Sequence, residues 1–225
     1  MLRPEIAEIL DRSQTHGWVL EPEAKRLFSL AGLKVPRFGW AKDEKEAVHW
    51  AGEVGYPVVG KVVSPAVLHK SEKGGVVVGI RDEGELRAIF DRFSRMEGFS
   101  GMVVEERLSG LELIVGAKVD SQFGPVILLG MGGTGVEIYR DVALRMAPLK
   151  EEDVESMIQG LKGRPLLEGY RGRKPIDRFS LTGLVLKFSS LAMDLVARIE
   201  SIDLNPVLCS ETGAVVADAR IMLKK

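Results

Sequence analysis

Short apolar runs follow one another closely in the second half of this sequence, and the gaps between them leave little choice of topology. MVVEERL (102–108), ELIVGAKVD (112–120) and PVILLG (125–130) each have strand length, and only a few residues join them. Parallel neighbours need a crossover of about a dozen residues or more. These runs therefore read as a largely antiparallel sheet. Two further runs close the chain, IDLNPVLC (202–209) and AVVADARIML (214–223), after helical patterns at about 150–161 and 177–196.

The first hundred residues have a different texture, alternating helical and extended patterns. Residues 4–12 form a short amphipathic helix. Glu21-Pro22-Glu23 opens a second, with Ala24, Leu27, Phe28 and Ala31 on one stripe and Gly32 at its end. Lys34–Ala41 reads as a strand. Asp43 with Glu46 starts a helix that stops at Gly55, and Asp82 with Glu85 starts another carrying Leu86, Ile89, Phe90 and Phe93. Between them lie two strand-length runs, YPVVGKVV (56–63) and VVVGI (76–80). The expected fold class is thus α/β (α+β). The change of texture near residue 100 places the boundaries at 1–19 for an N-terminal helical segment, 20–100 for a first subdomain and 101–225 for a second.

Charge and composition exclude several function classes. The net charge of −1 gives no whole-molecule field toward nucleic acid or anionic membranes, so any phosphate recognition is local. The beginning, MLRPEIAEILDRS, carries acids and lacks the apolar core of a signal peptide. PVILLGM (125–131) is far shorter than the ~20 residues that span a bilayer. The lone Cys209, beside Val207 and Leu208, reads as a buried strand residue in a reducing compartment. The expectation is a cytoplasmic protein.

Four clusters carry possible chemistry. In SPAVLHKSEKGG (64–75), His69 stands beside Lys70 and Lys73 and ahead of Gly74-Gly75, so a histidine sits in a cationic, conformationally permissive loop. Lys61 falls within an apolar strand, where a charge needs a partner. Either a structural salt bridge or a phosphate supplies it. In VVEERLSGLE (103–112), Glu105, Glu106 and Glu112 are either solvated strand ends or carboxylates placed for ribose hydroxyls, while the linker backbone reads a purine edge. LGMGGTGVE (129–137), with Gly132 and Gly133, matches neither a Walker loop nor the dinucleotide fingerprint. Its N–H groups could still form an anion-binding nest. Glu137, Arg140, Asp141 and Arg145 behind it fit either a functional set or an ordinary ion-pair network.

The C-terminal pair of strands allows a sharper deduction. A tight turn at SETG (210–213) puts Asn205 opposite Asp218 and Asp203 opposite Arg220. Alternation places those four on one face, with Ile202, Leu204, Val215 and Ala217 on the other. An amide oxygen beside a carboxylate suits Mg2+, which keeps several waters and bridges phosphates. A plain water-facing side of the hairpin is the competing reading.

Several segments together resemble one family: EPEAKRLFSLAGLKVP, VGYPVVGKVVSPAVLHKSEKGGV, FGPVILLGMGG, DVALRMAPL, PLLEGYRGRKPID and IDLNPVLC…VVADARI, in that order. They resemble the β subunit of ADP-forming acetyl-CoA (acyl-CoA) synthetase, an ATP-grasp protein related to succinyl-CoA synthetase, over about residues 18–223. The resemblance implies an ATP-grasp fold, with two α+β subdomains and the nucleotide between them. It also implies a separate CoA-binding α subunit in an α2β2 assembly. His69 then stands at the position of the loop histidine that carries phosphate to ADP. Lys61 matches the phosphate-facing lysine, Glu105, Glu106, Arg107 and Leu108 the adenine-side linker, and Asn205 with Asp218 the magnesium pair. Glu112, Gly132, Gly133 and Arg145 complete the nucleotide-binding set, and the implied cofactors are ATP/ADP and Mg2+. Gly60, Thr134-Gly135 and Ser201 depart from the family pattern. Two other functions fit the residues: an ATP-grasp ligase that uses an acyl-phosphate without phosphohistidine, and a nucleotide-sensing regulatory module.

Overall fold

The protein is described here by a computed structural model covering residues 2–133 and 140–224. In chain order it forms α1 (Pro4–Ser13), β1 (Trp18–Val19), α2 (Glu21–Leu30), β2 (Phe38–Ala41), α3 (Glu44–Val54), β3 (Val58–Val62) and β4 (Val76–Ile80). Next come α4 (Glu83–Ser94), β5 (Met102–Glu106), β6 (Leu111–Asp120), β7 (Gly124–Met131) and β8 (Val142–Met146). The last elements are α5 (Glu151–Gly160), α6 (Arg164–Leu167), α7 (Arg178–Asp194), β9 (Ile199–Ser210), β10 (Gly213–Val216) and β11 (Ala219–Leu223). These elements gather into two compact units, Pro36–Leu108 and the remainder, Met1–Val35 with Ser109–Lys225. No helix among the described residues is long and apolar enough to cross a membrane.

The inserted unit, Pro36–Leu108, is a four-stranded antiparallel sheet ordered β2-β5-β3-β4. Both of its helices start as their sequences dictate. Asp43 accepts from the Glu46 N–H at 2.9 Å while Glu46 accepts from the Lys42 N–H. Asp82 and Glu85 repeat the arrangement with the Arg81 N–H. Reciprocal caps of this kind satisfy donors that the first helical turn leaves without partners. Leu86, Phe90 and Phe93 of α4 and Ala47 and Ala51 of α3 bury against Val58, Val62, Met102 and Val104. Gly60, the family departure ahead of Lys61, has a packing reason. A Cβ there would lie 2.2 Å from Met102 Cε, so the methionine occupies the space a larger residue would take.

The other unit is built on an antiparallel sheet ordered β1-β11-β9-β6-β7-β8, with β10 also paired to β9. Leu113, Val115 and Ala117 alternate inward along β6 and meet Leu181, Leu184, Val185 and Phe188 of α7. On α2 the expected Ala24, Leu27 and Phe28 are buried, and so is Lys25, whose Nζ lies 3.0 Å from Glu21 Oε1. The hairpin register agrees with the sequence deduction, with Val216 facing Val207 and Arg220 facing Asp203. One assignment of faces is corrected. Ile202 and Leu204 point inward, but beyond Pro206 the inward positions become Val207 and Cys209, opposite Val216 and Ala214. The alternation changes phase at Pro206, so Val215 is half-buried and does not share the face of Leu204.

Candidate functional site

His69 lies in the connection between β3 and β4, whose two ends are fixed while its tip is open. At the first end, Ser64 Oγ donates to the Glu97 carbonyl at 2.6 Å and accepts from the Ala66 N–H, and Val67 is buried. At the second, the Gly75 N–H donates to the Lys70 carbonyl at 2.7 Å. A Cβ on Gly75 would fall 2.5 Å from Val62 Cγ1, so this position accepts only glycine without rearrangement. Ser71, Glu72, Lys73 and Gly74 are exposed, and the His69 side chain is 57% accessible. Its Nδ1 is 3.6 Å from Glu72 Oε1, beyond hydrogen-bond distance but close enough to feel the charge. Glu72 is a neighbour that the sequence reading passed over, although its place three residues after His69 was visible.

Lys61 and Glu105 meet on the sheet face turned away from α3 and α4. Glu105 pairs with Val59 and Lys61 with Val103, which makes the two charged residues diagonal cross-strand neighbours. Both are buried, and Nζ lies 2.9 Å from Oε1. The salt bridge expected as one of two readings for Lys61 is therefore present. An ammonium has three donors, so this contact is compatible with a phosphate at the same lysine. Glu106 faces the other way. Its carboxylate accepts from both the backbone N–H and the Nε of Arg37, at 2.9 and 3.0 Å, tying the end of β5 to the start of β2. Arg107 is exposed and its guanidinium lies over Gly79, while Leu108 is half-buried.

In the other unit Glu112, Gly132 and Gly133 come together. The Gly132 N–H donates to the Glu112 carbonyl at 2.8 Å, and a Cβ on Gly132 would lie 2.8 Å from that same carbonyl group. Gly133 adopts φ 91°, a region that favours glycine, and faces Glu112 Oε2. The rest of the glycine loop, including Thr134, Gly135 and Glu137, lies outside the described residues. Arg145 donates to Ser156 Oγ at 2.7 Å and to the Leu144 carbonyl, which ties β8 to α5. Asp141 accepts from the N–H groups of Lys162 and Gly163, so its carboxylate holds the turn before α6.

Asn205 and Asp218 are joined on the hairpin by the Asn205 N–H to the Asp218 carbonyl at 3.2 Å. Asn205 is exposed and Asp218 half-buried. Beside them Arg220 reaches Asp203 at 3.3 Å. Burial pushes the Asp203 carboxyl above its ordinary value, Arg220 opposes that rise, and Asp218 adds to it. One neutral and one anionic oxygen donor at facing positions fit a Mg2+ that keeps waters and phosphate oxygens as its other ligands. Among the described residues no group of three or more His, Cys, Asp or Glu is arranged to hold a metal.

Comparison with known proteins matches residues 11–223 to the ATP-grasp domain family. The chain is 40% identical over 225 residues to the β subunit of acetate–CoA ligase (ADP-forming) I of Pyrococcus furiosus, covering 96% of this chain and 97% of that one. It is 38% identical to acetate–CoA ligase (ADP-forming) I of Archaeoglobus fulgidus, where 98% of this chain matches only 33% of the relative. Two solved structures of Candidatus Korarchaeum cryptofilum dinucleotide-forming acetyl-coenzyme A synthetase 1 superpose with TM-scores of 0.86 at 38% identity, covering 97% of this chain and all of the matched chain. One holds coenzyme A, acetyl-coenzyme A and a phosphorylated phosphohistidine segment. The other holds coenzyme A and Mg-AMPPCP, with the phosphohistidine segment pointing towards the nucleotide site.

Proposed function

Since the chain belongs to the ATP-grasp family of ADP-forming acetate–CoA ligase β subunits, we propose that it is the nucleotide-binding subunit of such a ligase, and that His69 is its phosphoryl carrier. The reaction is acyl-CoA, ADP and phosphate to carboxylate, ATP and CoA, run reversibly with a CoA-binding α subunit in an α2β2 assembly. The observation that carries this reading is the exposure of His69 at the tip of a connection fixed at both ends.

An imidazole nitrogen is nucleophilic near neutral pH and leaves readily once phosphorylated, so one transfer divides into two. In the first, a His69 imidazole nitrogen attacks the phosphorus of a phosphorylated donor on the partner side, the P–N bond forms as the bond from phosphorus to the donor breaks, and the donor leaves with that electron pair. In the second, an oxygen of the ADP β-phosphate attacks the phosphorus, the P–N bond breaks, and the imidazole recovers its electron pair. Lys70 and Lys73 offset the charge on the phosphorylated loop, and Lys61 attracts the accepting phosphate. Such transfers depend mainly on positioning and charge stabilisation. The linker Glu105–Leu108, with Glu112, Gly132 and Gly133, holds the nucleoside and phosphate groups. Arg145 has its guanidinium engaged with Ser156 and contributes charge from there. Asn205 and Asp218 would hold a Mg2+, which would further neutralise phosphate charge.

Incubation with γ-labelled ATP and Mg2+, alone and with the α subunit, tests the carrier role. Wild-type chain is expected to take up acid-labile, base-stable label, and His69→Ala to take up none. Equal labelling of the two proteins would rule the histidine out.

A further inference from the structure

We propose that Arg220 is a phosphate-holding residue that Asp203 keeps in reserve, and that Gly116 leaves the room for that phosphate. The inference rests on the reading of Asn205 and Asp218 as a Mg2+ pair for the nucleotide. All five residues belong to one unit.

Strand register places them on one face. Arg220 of β11 faces Asp203 of β9, and Asp203 faces Gly116 of β6, so three strands give one residue each to a row across the sheet. Ile202, Leu204, Ala219 and Ile221 are buried on the inner face, which turns Asp203 and Arg220 outward with Asn205 and Asp218. Outward residues recur about every 7 Å along a strand and about every 5 Å across strands. Mg2+ holds oxygen at about 2.1 Å. A phosphate bridged by an ion at Asn205 and Asp218 therefore comes within reach of the long Arg220 side chain.

The bonding of Arg220 suits a change of partner. Its one contact with Asp203 is 3.3 Å long, against the roughly 2.7–2.9 Å of a strong charged hydrogen bond. Neither residue forms another ion pair among the described residues. A guanidinium carries five donors in a planar fork that fits phosphate as well as carboxylate. The sheet has little need of the bridge. Backbone pairing already joins β9 to β11 from Leu204 opposite Ala219 to Ile199 opposite Leu223. Both side chains are about one-third accessible, where an ion pair adds little stability. Ser201, Asp203 and Asn205 face outward from one strand and Asp218, Arg220 and Met222 from its neighbour, and Arg220 is the one cation among these six.

Gly116 points to a ligand independently. Glycine weakens the interior of a strand and marks a bulge or the close approach of something else. The register shift in β6 falls earlier, between Leu113 and Val115, and Gly116 has no positive φ. Packing does not demand it either. A Cβ there would meet the Ile202 carbonyl oxygen at 3.5 Å and Leu128 Cβ at 3.9 Å, both ordinary contacts. Bare backbone thus lies beside Asp203 on the outer face, and Gly116 lines a cavity of about 390 Å³ together with Lys118, Leu128 and Leu144.

Equilibrium binding of ATP, ADP and AMP to the full chain at saturating Mg2+ tests the assignment in wild type, Arg220→Gln, Asp203→Asn and the double variant. Arg220→Gln is expected to weaken ATP and ADP about tenfold, and to leave AMP, which has no β-phosphate, unchanged. Asp203→Asn removes the competing acceptor and a charge that repels phosphate, so ATP and ADP should tighten about threefold. The double variant should lie close to Arg220→Gln. Gly116→Val, whose Cβ the packing accepts, should weaken ATP by filling the room above the strand. Melting temperatures without nucleotide report folding. Equal weakening by Arg220→Gln and Asp203→Asn makes the pair a structural brace and overturns the proposal, as does an equal loss for AMP. Unchanged ATP affinity in Arg220→Gln overturns it and leaves the nucleotide reading intact. A wild-type chain that binds no nucleotide, with or without the α subunit, removes both.

Discussion

Lys61 and Glu105 pair opposite charges where solvent scarcely reaches. Removing one partner of a buried pair leaves the remaining charge uncompensated, typically at about 3–5 kcal/mol, whereas replacing both by apolar groups is often near neutral. Glu105→Leu alone should therefore lower the unfolding free energy by about 3 kcal/mol. Lys61→Met/Glu105→Leu should recover most of that loss, in urea titrations without nucleotide. The sequence displays the lysine as an anomaly but hides its partner, because the pairing is a cross-strand diagonal set by the register of β3 against β5. Cys209 was more legible, since its apolar neighbours announce burial. Burial pushes its thiol up to about 12. The thiolate is the reactive form. Cys209 should resist alkylation in the native chain at mildly alkaline pH and react fully once the chain is unfolded.

Helices are where local sequence spoke most clearly, because a cap and an apolar stripe are both short-range. Asp177 at the start of α7 illustrates the consequence. Its carboxylate accepts from Ser180 through both Oγ and N–H, and these bonds hold its pKa below the ordinary aspartate value. A depressed acid contributes stability above its unfolded pKa and loses it as pH falls through its folded value. Asp177→Asn should therefore narrow the stability difference between neutral pH and strongly acid pH, read from urea midpoints at each pH. The hairpin register was equally legible, since a tight turn fixes every pairing behind it. The switch of faces at Pro206 was not, because period-two alternation assumes an uninterrupted strand. Nor was β8 read as a strand. Its Val142, Leu144 and Met146 are exposed, so it lacks the burial pattern that marks the others.

At the scale of the molecule, each unit has its own core, and only one of them is a single stretch of chain. Fragments cut at the unit boundaries should therefore behave differently. Residues 36–108 should give a dispersed amide spectrum alone, because their apolar cluster is complete. Residues 109–225 should not, since Ile6, Ile9, Leu10, Val19, Leu27 and Phe28 of the first 35 residues belong to their core. Adding residues 1–35 as a peptide should restore the dispersion. That return of the first residues to the later unit is invisible in composition, because its only strand, β1, has two residues.

β1 carries a consequence beyond its size. Trp18 and Val19 pair with Met222 and Ile221, so the opening and closing strands of the sheet run side by side. Neighbouring ends let a domain be appended to other sequence without disturbing its interior. A fold whose opening and closing strands pair can thus stand alone or sit within a longer chain without change to its interior; one relative matches this chain nearly end to end, and in another the match covers only 33% of the chain.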